Sequence, residues 1–434
     1  MGGFFTTINT FYNVIKTIIN TSCIISFEYM TYKLFRLNTY DNFLRRLGTK
    51  LSRENVFYTK MAQTVSTSSS FCNKLTSFTD NVPYNEEEVD WECLDDLQNN
   101  AGIEIHKPYI PIKSGTISLI FNGTHIKDNK NVIIKIQRIG IQGFVEKSII
   151  NMSCILTLLS WLPWCFYLNI NEIFNENKES MMRQLSFKTE VENIMQFYSK
   201  WNKPNLDYIK IPYVYEDITS MYPNVIVMER IFGTTLDAVC DTDRDIYANI
   251  LAKFNTKSFF IDGMYHGDLH PGNILFIKNP NPNPNSNPNS EYTLGILDFG
   301  IVGSVNKKQK DSIYMLFDNI FNGDHVQVAC TIVDDISDWQ YSKVVKYDKC
   351  YLELIEILTN YSKLRFVKES VLLDTHDIIY INKILNAYGI SLSKDFCRIE
   401  LSFAISDSVC KLLSYKKTYS EQLLDIFNST INNK

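Results

Sequence analysis

The chain has 434 residues, 45% of them hydrophobic and 21% charged, with a formal net charge of −5. A chain of this length builds cores large enough to need no covalent staples, and a slightly acidic balance without a long basic run lacks the electrostatic footprint of a nucleic-acid binder. The ten cysteines are scattered, with no CxxC pair and no Cys/His cluster at zinc spacing, which predicts reduced thiols in a cytoplasmic setting.

Residues 1–41 place Ile8, Phe11, Ile15, Ile18 and Ile19 at helical spacing,. Lys16 and Glu28 leave no uncharged run long enough to span a bilayer, so the pattern predicts an amphipathic helix, either packed on the protein or lying on a membrane surface. The basic start and small-residue cleavage site of a signal peptide are missing, while Met1-Gly2 with Thr6 fits the loose myristoylation pattern. Residues 42–106 form a second block, containing Lys60-Met61-Ala62-Gln63-Thr64 and Asp80-Asn81-Val82-Pro83.

Residues 107–231 have the pattern of a nucleotide-binding lobe. A loop at Pro111-Ile112-Lys113-Ser114-Gly115-Thr116 leads to a strand through Phe121, an Asn122-Gly123 turn, and a strand Val132-Ile133-Ile134-Lys135-Ile136-Gln137 that continues into Arg138-Ile139-Gly140-Ile141,. A lone Lys in such a strand ordinarily sits at an edge and points to water. No charge interrupts Ser148 to Asn171, but Asn151, Ser153, Thr157 and Ser160 dilute the apolar run and Pro163 would end a helix, so a buried helix is expected there and not a membrane span,. Phe187 to Asn193 is helical in pattern and carries Glu190, and Val225 to Glu229 reads as a buried strand running into a linker at Ile231.

Residues 232–434 hold the most specific signal. Met264 to Phe276 reads MYHGDLHPGNILF, with Asp268 and Asn273 five residues apart between apolar runs. In protein-kinase-like phosphotransferases such a loop carries an Asp that accepts or orients the acceptor's proton and an Asn that binds a metal on the phosphates. The alternating Asn and Pro of Asn279 to Ser290 can form neither ladder nor helix. A short strand then ends in Asp298-Phe299-Gly300, whose Asp would hold the main magnesium. Beyond Gly303 helical spacing returns at Ile313, Leu316, Phe317 and Ile320 and at Leu352, Ile355 and Leu358, with no second catalytic constellation,.

Over residues 42–330, and most specifically over His266-Gly267-Asp268-Leu269-His270-Pro271-Gly272-Asn273, the chain resembles the UbiB-like, aarF-domain-containing (ADCK) atypical kinases. The resemblance implies an α+β, two-lobed protein-kinase-like fold with a helical N-terminal extension and a helical C-terminal lobe, using ATP and Mg2+. It implies that Glu190 positions Lys135 on the phosphates, that Asp268 is the catalytic acid-base group, and that Asn273 and Asp298 hold the metal. Lys60 and Gln63 would belong to the family's Lys-x-Gly-Gln element, here with Ala62 in place of Gly. Ser114 and Gly115 occupy the loop over the phosphates, where the family is Ala-rich. Met228 would line the adenine pocket, and backbone groups near Glu229 and Ile231 would read the adenine edge. The family's acidic Glu-x-Asp pair is replaced by Gln184 and Ser186.

The family supports coenzyme Q or other isoprenoid-lipid metabolism, often beside a membrane. The resemblance therefore implies a small-molecule, lipid or protein acceptor, peripheral membrane contact and no nucleic-acid partner. Two other readings compete: a nucleotide-sensing pseudokinase or scaffold, favoured by the altered Lys60 element, and a conventional Ser/Thr kinase, opposed by the missing GxGxxG and APE sequences.

Overall fold

A computed structural model describes residues 2–34, 36, 39–58, 82–159, 174, 178–179, 181–203, 206–279, 291–339, 344–366, 373 and 375–414, with backbone alone at 2–11, 41, 158–159 and 375–376. The chain divides into two compact units, Met1–Glu192 with Tyr213–Arg230, and Asn193–Pro212 with Ile231–Lys434.

The first unit contains a five-stranded antiparallel sheet. Its order is β1 (Ile103–Ile105), β3 (Ser118–His125), β4 (Lys130–Gln137) and β6 (Val225–Glu229), with β2 (Lys113–Ser114) also paired to β3. Period-two alternation sends Val132, Ile134 and Ile136 of β4 into a core with Leu119, Phe121, Val225 and Val227, closed by Leu94 and Leu97 of helix α3 (Trp91–Asn100),. Lys135 falls on the other face of the strand.

The predicted Asn122-Gly123 turn is corrected by the structure. Both residues lie inside β3, opposite Ile133 and Val132, and the hairpin turns at 126–129, where Asn129 takes a left-handed φ of 54°. Glycine is required at 123 for packing: a Cβ there would stand 2.7 Å from the Glu104 carbonyl oxygen and from Ile134 Cδ1.

Helix α1 (Gly2–Tyr29) packs on α2 (Tyr40–Glu54) and α4 (Ile141–Leu159). Its described side chains are patterned inside out. Val14, Thr17 and Glu28 are buried, whereas Tyr12, Ile15, Ile18, Ile19, Ile25, Phe27 and Tyr29 are exposed. Polar contacts hold the inner face: Asn151 donates to Thr17 (3.1 Å), Asn20 donates to Glu54 (3.2 Å), and Glu28 accepts from Arg46 (3.0 Å) and lies 2.7 Å from Lys50. Burying the Glu28 carboxylate raises its pKa, but the bonds and charges of Lys50 and Arg46 outweigh that and hold it below the usual value,. Among the described residues no helix is long and apolar enough to cross a membrane, and Asn151, expected to dilute the uncharged run, is buried in α4 against Thr17.

In the second unit β5 (Ile209–Lys210) runs parallel to β9 (Tyr292–Ile296), which pairs antiparallel with β8 (Ile274–Lys278), and β7 (Met264–His266) pairs with β10 (Val302–Ser304). Helix α5 (Phe187–Trp201) crosses the boundary between the units at Glu192. Phe197 and Trp201 from its second half pack with Phe254 of α6 (Arg244–Thr256). Among the described residues five further helices follow, α7 (Lys307–Asn322), α8 (His325–Asp334), α9 (Lys349–Arg365), α10 (Thr375–Asn386) and α11 (Lys394–Leu413). Ile313, Leu316, Phe317 and Ile320 are buried in α7 as their spacing predicts. In α9 the inner stripe is Tyr351, Leu354 and Leu358, and Leu352 faces out. The described cysteines are all free thiols.

Candidate active site

In the first unit Lys135 is not an outward-pointing edge residue. Its ammonium donates to Glu190 Oε1 at 2.6 Å, with side-chain exposures of 9% and 3%, and lies 5.6 Å from the centre of the Phe187 ring. A buried lysine is costly without such a partner. The start of α5 explains why Glu190 is in place. The Ser186 hydroxyl accepts the Thr189 N–H, the Glu190 N–H bonds the Ser186 carbonyl, and Gln137 at the end of β4 donates to the Leu185 carbonyl at 2.7 Å. Ser186, noted in the sequence only as the substitute for an acidic residue, thus caps the helix that presents Glu190.

The loop residues Ser114 and Gly115 are otherwise engaged. The Ser114 hydroxyl gives its proton to the Val82 carbonyl at 2.5 Å, and the Gly115 N–H donates to the Ser118 carbonyl at 2.9 Å. In this arrangement the Ser114 hydroxyl and the Gly115 N–H are both committed to protein carbonyls. Of the residues expected near adenine, Met228 is buried in β6 opposite Ile133, and the Glu229 N–H donates to the Tyr213 carbonyl at 2.7 Å. In the second unit Ile231 is buried, and among the described residues its N–H and C=O have no hydrogen-bond partner. Lys60 and Gln63 lie outside the described residues.

The second unit brings the candidate catalytic motifs together through His266. This ring is buried, and burial pulls its pKa down, so it is neutral,. The bonding pattern assigns its tautomer: Nδ1 accepts the Asp268 N–H at 3.2 Å and Nε2 donates to the Asp298 carbonyl,. One side chain therefore ties the Asp268 loop to the Asp-Phe-Gly segment. Asn273 adds a second tie, since its amide nitrogen donates to the Asp268 carbonyl (2.9 Å) while its own carbonyl accepts from Leu297 (3.0 Å). Gly267 permits the close approach of the two segments: its N–H bonds the Ile301 carbonyl at 2.8 Å, and a Cβ would meet Ile301 Cγ2 at 2.6 Å.

Two supports had not been assigned from sequence. Asn193, three residues after Glu190 in α5, donates to the Phe299 carbonyl at 2.9 Å. Ser402 of α11 donates to the His266 carbonyl at 2.8 Å. The β7–β10 ladder explains the second. Gly267 bonds Ile301, so His266 is a non-bonded position of that ladder and its carbonyl turns away from β10 toward α11,. Nothing in the sequence pairs Ser402 with a residue 136 positions earlier.

Asn273 and Asp298 are suited to magnesium. Both offer oxygen to a hard cation, and the amide nitrogen of Asn273 is already committed to Asp268, which leaves its amide oxygen for ligation. Among the described residues no group of three His, Cys, Asp or Glu is placed to hold a metal. A site with two protein ligands completed by phosphate oxygens needs no such group.

Residues 104–331 match the ABC1 atypical kinase-like domain, more than half of the chain. The chain belongs to this ABC1 atypical kinase-like family. Its curated relatives include "Probable protein kinase UbiB" of Blochmanniella pennsylvanica (strain BPEN), 29% identical over 348 residues, which are 73% of this chain and 61% of that protein. The protein of the same name from Cronobacter sakazakii (strain ATCC BAA-894) is 31% identical over 238 residues, 53% of this chain and 40% of that one. The chain thus spans less than two thirds of the length of these relatives. Among solved structures it is similar to Rv3197 from Mycobacterium tuberculosis, determined in complex with erythromycin, with a TM-score of 0.50 and 16% identity over 88% of this chain and 94% of that one. This likeness shows the kinase-like α+β fold that the UbiB-like resemblance implied.

Proposed function

We propose that this ABC1-family protein is an ATP-dependent phosphotransferase or ATPase. The observation that carries the reading is the bonded set of His266, Asp268, Asn273 and Asp298, in which the His266 ring ties the backbone of Asp268 to that of Asp298, the Asn273 amide bonds the Asp268 carbonyl, and the Asp298 carboxylate accepts the Gly300 N–H. Asp268 would accept the proton of the acceptor hydroxyl, or of water, as that oxygen bonds the γ-phosphorus and the bond to the β-phosphate oxygen breaks, its electrons leaving with ADP. Lys135, positioned by Glu190, would neutralise phosphate charge. Magnesium, held by Asn273 and Asp298, would supply charge neutralisation on the phosphate oxygens. The N–H and C=O of Ile231 would pair with the adenine edge. Lys60 and Gln63 keep the roles implied by the family resemblance.

The acceptor we propose is a lipid-like or small isoprenoid molecule met at a membrane surface. Support comes from α1, whose exposed row of Tyr12, Ile15, Ile18, Ile19, Ile25 and Tyr29 would suit the interfacial zone of a bilayer,. The chain up to Glu54 also carries seven basic and three acidic residues, although the whole has a net charge of −5. The test is ATP turnover by the full chain, alone and with anionic phosphatidylglycerol vesicles carrying an isoprenoid phenol. Turnover that vesicles increase and that Asp268→Asn abolishes is expected, together with weaker vesicle sedimentation of an Ile15→Ser/Ile19→Ser variant. Turnover retained in Asp268→Asn would place the chemistry elsewhere.

A further inference from the structure

Two features noted in the sequence, Val82-Pro83 within the N-terminal extension and Arg138 just after β4, have no part in the mechanism above. In the first unit they meet at one buried cation. Arg138 follows Lys135 by three residues, and its guanidinium lies within hydrogen-bond distance of five acceptors. Nη1 reaches the Pro83 carbonyl (3.1 Å) and the Glu88 carboxylate (2.5 Å). Nη2 reaches the Val82 carbonyl (3.0 Å), the Ser114 hydroxyl (2.7 Å) and the Gly115 carbonyl (2.7 Å).

Backbone bonds run between the same partners. The Val82 N–H donates to the Ser114 carbonyl at 2.7 Å, the Arg138 N–H to the Ile117 carbonyl at 3.0 Å, and the Ile139 N–H to the Glu88 carbonyl at 2.9 Å. The Val82-Pro83 part of the extension, the β2–β3 turn and the residue that follows the lysine-bearing strand therefore share one node. Only a planar fork with several fixed donors can serve acceptors spread in this way; an ammonium has three donors on a flexible stem. This turn, with Gly115 as its one glycine, is held by the side chains of Arg138 and Ser114 as well as by backbone bonds.

From this geometry we propose that Arg138 is a positioning residue for the nucleotide: it fastens Val82–Pro83 to the β2–β3 turn, so that the extension sets the shape of the turn and thereby the affinity for ATP. The inference rests on the ATP-binding reading above. It assigns Ser114 and Gly115 a supporting role, as acceptors for Arg138, and makes the turn's conformation dependent on residues 82–88.

The test is calorimetric binding of MgATP by the full chain, with amide hydrogen exchange followed at 82–89 and 113–118. Arg138→Lys keeps the charge and loses most of the fork, and should raise Kd about tenfold or more, as expected when charge-assisted bonds are lost. Glu88→Gln perturbs one bond at a half-buried site and should raise Kd about threefold, since a neutral bond is roughly half as strong as a charge-assisted one. In both variants the two segments should lose exchange protection together. A brace without influence on the nucleotide would lower Tm and leave Kd unchanged, and that result in Glu88→Gln and Arg138→Lys overturns the proposal. Wild-type protein that binds no MgATP overturns the ATP reading and this inference with it, an outcome distinct from equal binding by wild type and variants.

Discussion

Glu400 offers a sharp test of how the second unit is packed. It sits fully buried in α11, and among the described residues neither carboxylate oxygen has a hydrogen-bond partner. Nearby Asp377 is itself held by the Tyr361 hydroxyl at 2.5 Å and by Arg365 Nε at 2.7 Å. Burial, and secondly the charge of Asp377, push the Glu400 pKa up to about 8 from the ordinary 4.5,. The folded protein thus keeps a proton that the unfolded chain has lost, so the stability tied to this group is complete below pH 4.5 and drains away as pH rises toward 8. With about 1.4 kcal/mol per pKa unit, the loss between pH 5 and pH 7.5 comes to about 3 kcal/mol. Glu400→Gln mimics the protonated form and cannot titrate. Urea unfolding across pH 5 to 8 should show the variant gaining on wild type by about this amount. A constant offset from burying the amide would leave the slope untouched, so parallel pH profiles would refute the buried, protonated carboxyl.

Further outcomes follow from single contacts. Gly123→Ala forces a methyl against the Glu104 carbonyl within β3 and should cost about 1–3 kcal/mol in chemical denaturation, as overpacking does; a neutral effect would restore the turn expected at Asn122-Gly123. Ser402→Ala strips the His266 carbonyl of the hydroxyl that bonds it at 2.8 Å and should cost about 1–3 kcal/mol, with Ser402→Thr recovering most of it. Unchanged stability in Ser402→Ala would detach α11 from the catalytic segment.

The parts of the candidate site carried by short contiguous motifs were legible in the sequence. HGDLHPGN and the strand ending in Asp298-Phe299-Gly300 stand out because the chemistry proposed for each needs fixed residue types at fixed spacing. Lys135 and Glu190 were paired by the family resemblance, and the structure brings them together at 2.6 Å. The kinase-like fold followed from the same resemblance. What could not be read depends on register and long-range packing. Asn122-Gly123 has the composition of a hairpin turn, yet the close approach of Glu104 across the sheet claims Gly123 for the strand. The buried stripe of α9 keeps Leu358 from the pattern that predicted it but takes Tyr351 and Leu354 in place of Leu352 and Ile355, because a helix of mixed polarity has more than one face that can serve. Arg138, Asn193 and Ser402 act on partners 23 to 136 residues away, and no local pattern marks such pairs. The inside-out patterning of α1 was hidden for a related reason, since only the burial of Thr17 and Glu28 reveals which face is turned inward.

The account stands or falls on MgATP binding through the Asp-Phe-Gly carboxylate. Titrating wild type, Asp298→Asn and Asp268→Asn with ATP, with and without magnesium, and following thermal stabilisation, separates the roles directly. The account predicts stabilisation of the wild type that requires magnesium, its near-complete loss in Asp298→Asn, and its retention in Asp268→Asn, whose carboxylate serves the transition state and not the bound nucleotide. Equal stabilisation of wild type and Asp298→Asn, or none in the wild type, would contradict it.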